Sequence, residues 1–146
     1  MFGSKISAIE YFLPKKKENN KIFKKNNPKV NIERIKEKTG INNRFISGEN
    51  ETVIDISIKA ANKIFKKFPK NKIEFLILVT QTSSYRIPTS ACILQNKLGL
   101  NNNVKAFDIN LGCSGFVYAL FVASSLAQNN MSKNILIVCA DTYTKY

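Results

Sequence analysis

AFDINLGCSGFVYAL, residues 106–120, decides how this chain is read. Residues 104–109 are of strand length and largely apolar, Asn110 ends the run, and Leu111-Gly112 makes a sharp turn. From 114 to 128 the residues are apolar on almost every helical face, which predicts a helix in the middle of a domain rather than on its surface. Cys113 stands at the start of that helix. There, unpaired N–H groups and the positive end of the helix dipole favour a thiolate. Gly112, Ser114 and Gly115 permit the turn and leave room for a substrate. The Cys113 N–H is placed to help hold a thioester oxyanion. The pattern is that of a strand–turn–helix nucleophile elbow. On the residues alone two readings stay open for Cys113, a nucleophile or a small buried hydrophobe.

Working outward, EFLILVT (74–80) and NILIVCA (134–140) are apolar runs of strand length, as buried parallel strands require. Between them, Pro88 suits the first turn of a helix that ends at Gly99, with Ala91, Leu94 and Leu98 facing inward. Strand, helix, strand, helix, strand predicts an α/β fold with a mainly parallel sheet. Upstream, residues 5–13 read as a short strand ended by Pro14, and residues 15–29 as a polar Lys/Asn-rich loop. Asn31 caps a helix with Ile32 and Ile35 on one face, stopping at Gly40. Asn50 or Thr52 starts a longer one, with Ile54, Ile58, Ala61 and Phe65 at helical spacing. Cys92 and Cys139 read as packing residues, and Asp108 and Asp141 as hydrogen-bonding groups at strand ends or in loops.

The chain has 146 residues and 16.5 kDa, the size of one domain or part of a larger one. Its 44% hydrophobic content fills a core and excludes a wholly disordered chain. Three cysteines without close spacing make no disulfide framework, and no Cys/His cluster suits zinc, so no metal site is expected. With no histidine, neither a Ser-His-Asp nor a Cys-His site can be completed from these residues. No secretory signal and no apolar run of bilayer length is visible, so a cytoplasmic protein that binds no membrane is expected. Net charge is +13, and residues 1–72 hold 18 of the 23 basic groups. Only three of the 23 are Arg, the preferred reader of bases and phosphates, and no nucleic-acid-binding motif is present. The excess of Lys, Asn and Ile reads as base composition, and no nucleic-acid partner is expected.

Several stretches together resemble the N-terminal half of a β-ketoacyl-acyl carrier protein synthase III, an initiating condensing enzyme of thiolase-like fold. They are KTGINNRFI (38–46), ETV (51–53), the P-x-x-A-C-x-x-Q-x-x-L-G run at 88–99, and FD-x-x-x-x-C-x-G-F-x-Y-A-L at 107–120. The resemblance spans residues 4–146 and implies that Cys113 is the acyl-accepting nucleophile. It implies no bound cofactor, and as substrate an acyl-CoA or an acyl carrier protein carrying its acyl group on phosphopantetheine. A malonyl carrier then loses carbon dioxide and attacks the acyl-Cys, a step for which the family uses a His and an Asn from a C-terminal half. The chain stops six residues after the 134–140 strand with no helix to cover it, so 1–146 is expected to be a half-domain with an apolar face exposed.

The resemblance also assigns positions around the nucleophile. Arg34 and Lys38 fall where the family usually has the Trp and Arg that flank the CoA adenine. Arg can stack on a purine and Lys can meet a phosphate, but neither is an equivalent replacement, so a carrier-protein donor stands beside CoA. Ile87, in a loop (81–87) that in the family crosses a dimer interface, falls where a bulky residue limits acyl length. Tyr143 falls at another pocket-lining position and would narrow the pocket or add a polar tip. The family pairs subunits as a homodimer through the strand at 104–109. Two further readings follow from the same residues: acyl transfer to an amine or hydroxyl acceptor, or a non-catalytic dimerisation half.

Overall fold

Two asparagines organise the N-terminal segment of the computed structural model, which describes residues 3–145. Asn19 ends strand β1 (Lys16–Asn19) and caps helix α1 (Asn20–Asn26), accepting from the Ile22 N–H at 3.0 Å. Asn31 caps α2 (Ile32–Thr39) through the Arg34 N–H at 2.9 Å. Helix α2 stops at Gly40, whose φ of 69° lies where a residue without Cβ carries no steric penalty. Strand β2 (Asn43–Ile46) returns antiparallel to β1, Lys16 opposite Ile46 and Asn19 opposite Asn43. Residues 15–29, read as a loop, are therefore a strand and a helix. What their composition hides is tertiary: β1 gains its ladder from β2, and the Arg44 guanidinium of β2 lies 4.1 Å from the ring centre of Phe23 on α1.

Helix α3 (Val53–Phe65) begins with a reciprocal cap. The Asp55 N–H donates to the Thr52 hydroxyl at 3.3 Å, and the Thr52 N–H donates to the Asp55 carboxylate at 2.8 Å. Then follow strand β3 (Phe75–Val79), helix α4 (Ser90–Lys97), strand β4 (Lys105–Ile109), helix α5 (Gly115–Gln128) and strand β5 (Ile135–Cys139). The three strands form a parallel sheet in the order β4-β3-β5, with Phe75 level with Lys105 and with Ile135. The expected alternation and parallel pairing are both present. Pro88 precedes the extended N-cap residue Thr89 instead of lying in the first turn of α4.

Successive side chains of a strand point to opposite faces, and the sheet sorts its residues that way. Leu76, Leu78, Leu136 and Val138 pack with Val53, Ile54 and Ala61 of α3 and Ala91 and Leu94 of α4. Ile77, Val79, Ile135 and Ile137 face α5 through Ala119, Val122 and Ala123. The helix expected to be surrounded is buried on this one face only. Val117 is 65% exposed and Phe121 70%, with Phe116 and Tyr118 exposed beside them, because the sheet lies on one side of α5 and the described residues place no layer on the other. Residues 5–13 form no ladder. They are held instead by side chains, with Lys63 Nζ donating to the Tyr11 carbonyl at 2.7 Å and Lys67 paired with Glu10 at 2.5 Å. Among the described residues no helix is long and apolar enough to cross a membrane.

Candidate active site

Three loops leave the C-terminal ends of the parallel strands on the same edge of the sheet. That edge, where the chain turns to opposite sides of β3, is where open α/β sheets hold ligands. Cys113 lies on the loop after β4, two residues before α5, and is exposed. Its turn closes through the Gly115 N–H donating to the Gly112 carbonyl at 2.8 Å. Gly115 is required by packing: a Cβ there would overlap Val79 Cγ1 of β3. The close approach seats the first turn of α5 against β3. The side chain of the N-cap residue, Ser114, makes no capping hydrogen bond. Apart from the Gly115 N–H, which closes the turn, the first-turn N–H groups are thus left without a side-chain cap behind Cys113.

The loops after β3 and β5 are tied together by one carboxylate. Asp141 Oδ1 accepts from the Thr80 hydroxyl at 3.1 Å, the Gln81 N–H at 2.8 Å, and the Thr82 N–H and hydroxyl at 3.0 and 2.9 Å. The Thr142 N–H donates to the Thr82 hydroxyl at 2.9 Å, and Thr80, Thr82 and Thr142 are all buried. On this frame the Tyr143 hydroxyl donates to Gln81 Oε1. A Cβ at Gly112 would come within 2.6 Å of the same oxygen, so the Gln81 amide rests on the residue before Cys113. Partial desolvation, then the Asp141 charge and Cys113, raise the Tyr143 phenol pKa above its ordinary value.

The structure therefore places Tyr143 beside Cys113 and adds Gln81, which sequence reasoning had assigned only to a loop. The signal available for Gln81 was its position just past the end of a buried parallel strand. Arg34 and Lys38 stand one helical turn apart on exposed α2, and neither bonds to the Cys113 loops among the described residues. Ile87 is 93% exposed. Cys92 and Cys139, expected to pack, are exposed: Cys92 lies at the outer edge of the sheet, its Sγ 4.0 Å from the Ala106 carbonyl of β4, and Cys139 ends β5, an edge strand among the described residues. Partial desolvation of its sulfur and the Asp141 charge raise the Cys139 thiol pKa. Asp108 accepts from the Ser90 N–H at 2.9 Å and the Ala91 N–H at 2.6 Å, which makes it the cap of α4.

A parallel sheet with this strand order, a cysteine at the mouth of a helix after the strand at 105–109, and helices on both faces can now be set against known proteins. A family model described as the N-terminal domain of chalcone and stilbene synthases matches residues 17–145. The chain belongs to that family. Proteins similar to this chain include a β-ketoacyl-acyl carrier protein synthase III of Vibrio vulnificus, 38% identical, with 97% of this chain and 45% of that protein covered. One from Neisseria gonorrhoeae is 35% identical, with 97% of this chain and 45% of that protein covered. The crystal structure of 3-oxoacyl-acyl carrier protein synthase III from Aquifex aeolicus superposes with a TM-score of 0.87 at 33% identity, covering 98% of this chain and 46% of that one. The fold is the N-terminal part of the thiolase-like condensing-enzyme fold. The chain spans less than half the length of the relatives it matches.

Proposed function

We propose that this domain is the nucleophile-bearing half of a condensing acyltransferase of the β-ketoacyl-acyl carrier protein synthase III type, acting in fatty-acid or related acyl biosynthesis. The observation that carries the reading is Cys113, exposed at the uncapped N-terminus of α5 on the C-terminal edge of the parallel sheet. The Cys113 sulfur attacks the carbonyl of an acyl thioester, on CoA or on carrier-protein phosphopantetheine. Negative charge develops on the carbonyl oxygen, where N–H groups of the loop and of the first turn of α5 receive it. The old C–S bond breaks, the carrier thiol leaves with the proton, and an acyl-Cys113 ester of sulfur remains. A malonyl carrier then loses carbon dioxide, and its carbanion attacks the acyl carbon, releasing Cys113 and forming a β-ketoacyl product.

The second step needs groups to stabilise the enolate oxygen, and they come from a C-terminal half. That half also covers the apolar face of α5. Arg34 and Lys38 meet the adenine and phosphates of a CoA donor, Ile87 reaches the acyl pocket of a second subunit, and β4, whose outer edge is unpaired among the described residues, joins two copies into a homodimer. The carrier protein is the partner, and the compartment is the cytoplasm.

Incubating the protein with acetyl-CoA or an acyl carrier thioester tests the first step. Intact-mass and peptide analysis are expected to show one hydroxylamine-sensitive acyl group on Cys113. It should persist in a C92A/C139A double variant and vanish in Cys113→Ala. Acylation of Cys92 or Cys139 instead, or none at Cys113 in the full-length protein, would overturn the reading.

A further inference from the structure

Residues 15–46, which fold as β1, α1, α2 and β2, carry eleven of the 23 basic residues and only three acidic ones, a net charge of +8. Base composition acts along the whole chain and does not by itself account for that concentration. Within the segment a cleft of about 700 Å³ is lined by Lys21, Lys24 and Lys25 of α1 and Lys36 of α2, together with Pro28 and Ile32. It shares no lining residue with the loops around Cys113. We propose that this cleft binds an oligophosphate, either a free polyphosphate or the phosphate chain of a nucleotide, at a site separate from the thioester chemistry.

The cations around the cleft lack counter-charges. Among the described residues, Lys24 is the one of the four lysines with a carboxylate partner, Glu33 at 3.5 Å. A fifth cation stands next to Asn20, which also lines the cleft. The Arg44 guanidinium donates from Nη2 to Asn20 Oδ1 at 3.1 Å and stacks on Phe23, while its Nη1 is buried with no hydrogen-bond partner among the described residues. A buried cationic group without a counter-charge is costly, and an anion held against Asn20 would offset that cost. The shape narrows the class of anion. The volume is that of a small-molecule site, and Lys meets phosphate as a point charge, so linked phosphates answer several ammonium groups at once. The cleft is also distinct from the positions assigned to a CoA donor. At about 3.6 residues per turn, Ile32 and Lys36 share one side of α2 and Arg34 and Lys38 the other, and neither Arg34 nor Lys38 lines the cleft.

Isothermal titration calorimetry of the full-length protein with tripolyphosphate, ATP and adenosine tests the site. Both phosphate compounds are expected to bind, and adenosine is not. In a K25Q/K36Q double variant the affinity should fall about ten-fold or more. K16Q/K17Q, which removes the same charge from exposed β1, and R34A/K38A should each hold it within about two-fold. All six side chains belong to residues that are exposed, and unchanged circular dichroism is the control on folding. Equal affinity for the two phosphates supports the site as one for free polyphosphate, and tighter binding of ATP supports it as one for a nucleotide. Three results would overturn the proposal: binding of neither phosphate, a loss in K16Q/K17Q equal to that in K25Q/K36Q, or a loss in R34A/K38A that K25Q/K36Q does not share. Binding of duplex DNA that depends on Lys25 and Lys36, with neither small phosphate bound, overturns it in favour of a nucleic-acid surface.

Discussion

Asp108 is a carboxylate one residue from the end of strand β4, and its partners lie 17 and 18 residues earlier. Its two oxygens take the N–H groups of Ser90 and Ala91 at the start of α4, where Thr89 itself supplies no side-chain cap. A negative group at a helix N-terminus satisfies orphan donors and complements the dipole. Asp108→Ala is therefore expected to cost about 1–2 kcal/mol, seen as a lower urea midpoint with an unchanged slope. Sequence reasoning placed Asp108 and Asp141 correctly as strand-end hydrogen-bonding groups. It had no access to their partners, because those are brought near only when β3, β4 and β5 lie side by side. Cys92 and Cys139 show the converse: an apolar neighbourhood in sequence suggested burial, while their places at the two edges of the β4-β3-β5 sheet left both residues exposed.

At the scale of elements, the junction of α5 with β3 is the most sensitive point. Alanine is the better helix former by about 1 kcal/mol, so Gly115→Ala would help an isolated helix. Here the added methyl collides with Val79 in a buried strand, and overpacking of that kind costs about 1–3 kcal/mol. We expect a net loss of stability by urea denaturation, and a smaller penalty for Gly115→Ala in a Val79→Ala background, since the colliding methyl is gone. Elements whose signal is local were legible: the Asn31 and Thr52 caps, the Gly40 stop, and the three apolar strands all stand where the sequence places them. Strand β1 and helix α1 were not, because a Lys/Asn-rich segment becomes regular only through pairing with β2 and stacking of Arg44 on Phe23.

For the whole molecule, charge and hydration set the pH response. Asp55 is held below its ordinary pKa by the Thr52 hydroxyl and N–H, Glu74 by the Lys133 N–H and the Ser132 hydroxyl, and Glu51 by Lys59 and the Gly48 N–H. A carboxylate with a lowered folded-state pKa stabilises the fold above its unfolded value and loses that contribution as pH falls through the folded one. The urea midpoint is expected to be flat above about pH 5 and to drop steadily below about pH 4.5, and Asp55→Asn should lower the neutral-pH midpoint while flattening the acid limb. The alternation of strands and helices from β3 to β5, the parallel sheet and the cysteine at the mouth of α5 were determined by the sequence alone, because apolar runs, caps and glycines act over a few residues. The tertiary structure decided which loops meet at Cys113, that Gln81 and Tyr143 touch across them, and that one face of α5 stands open. Those depend on the register and handedness with which distant segments pack, and no local pattern in the chain records them.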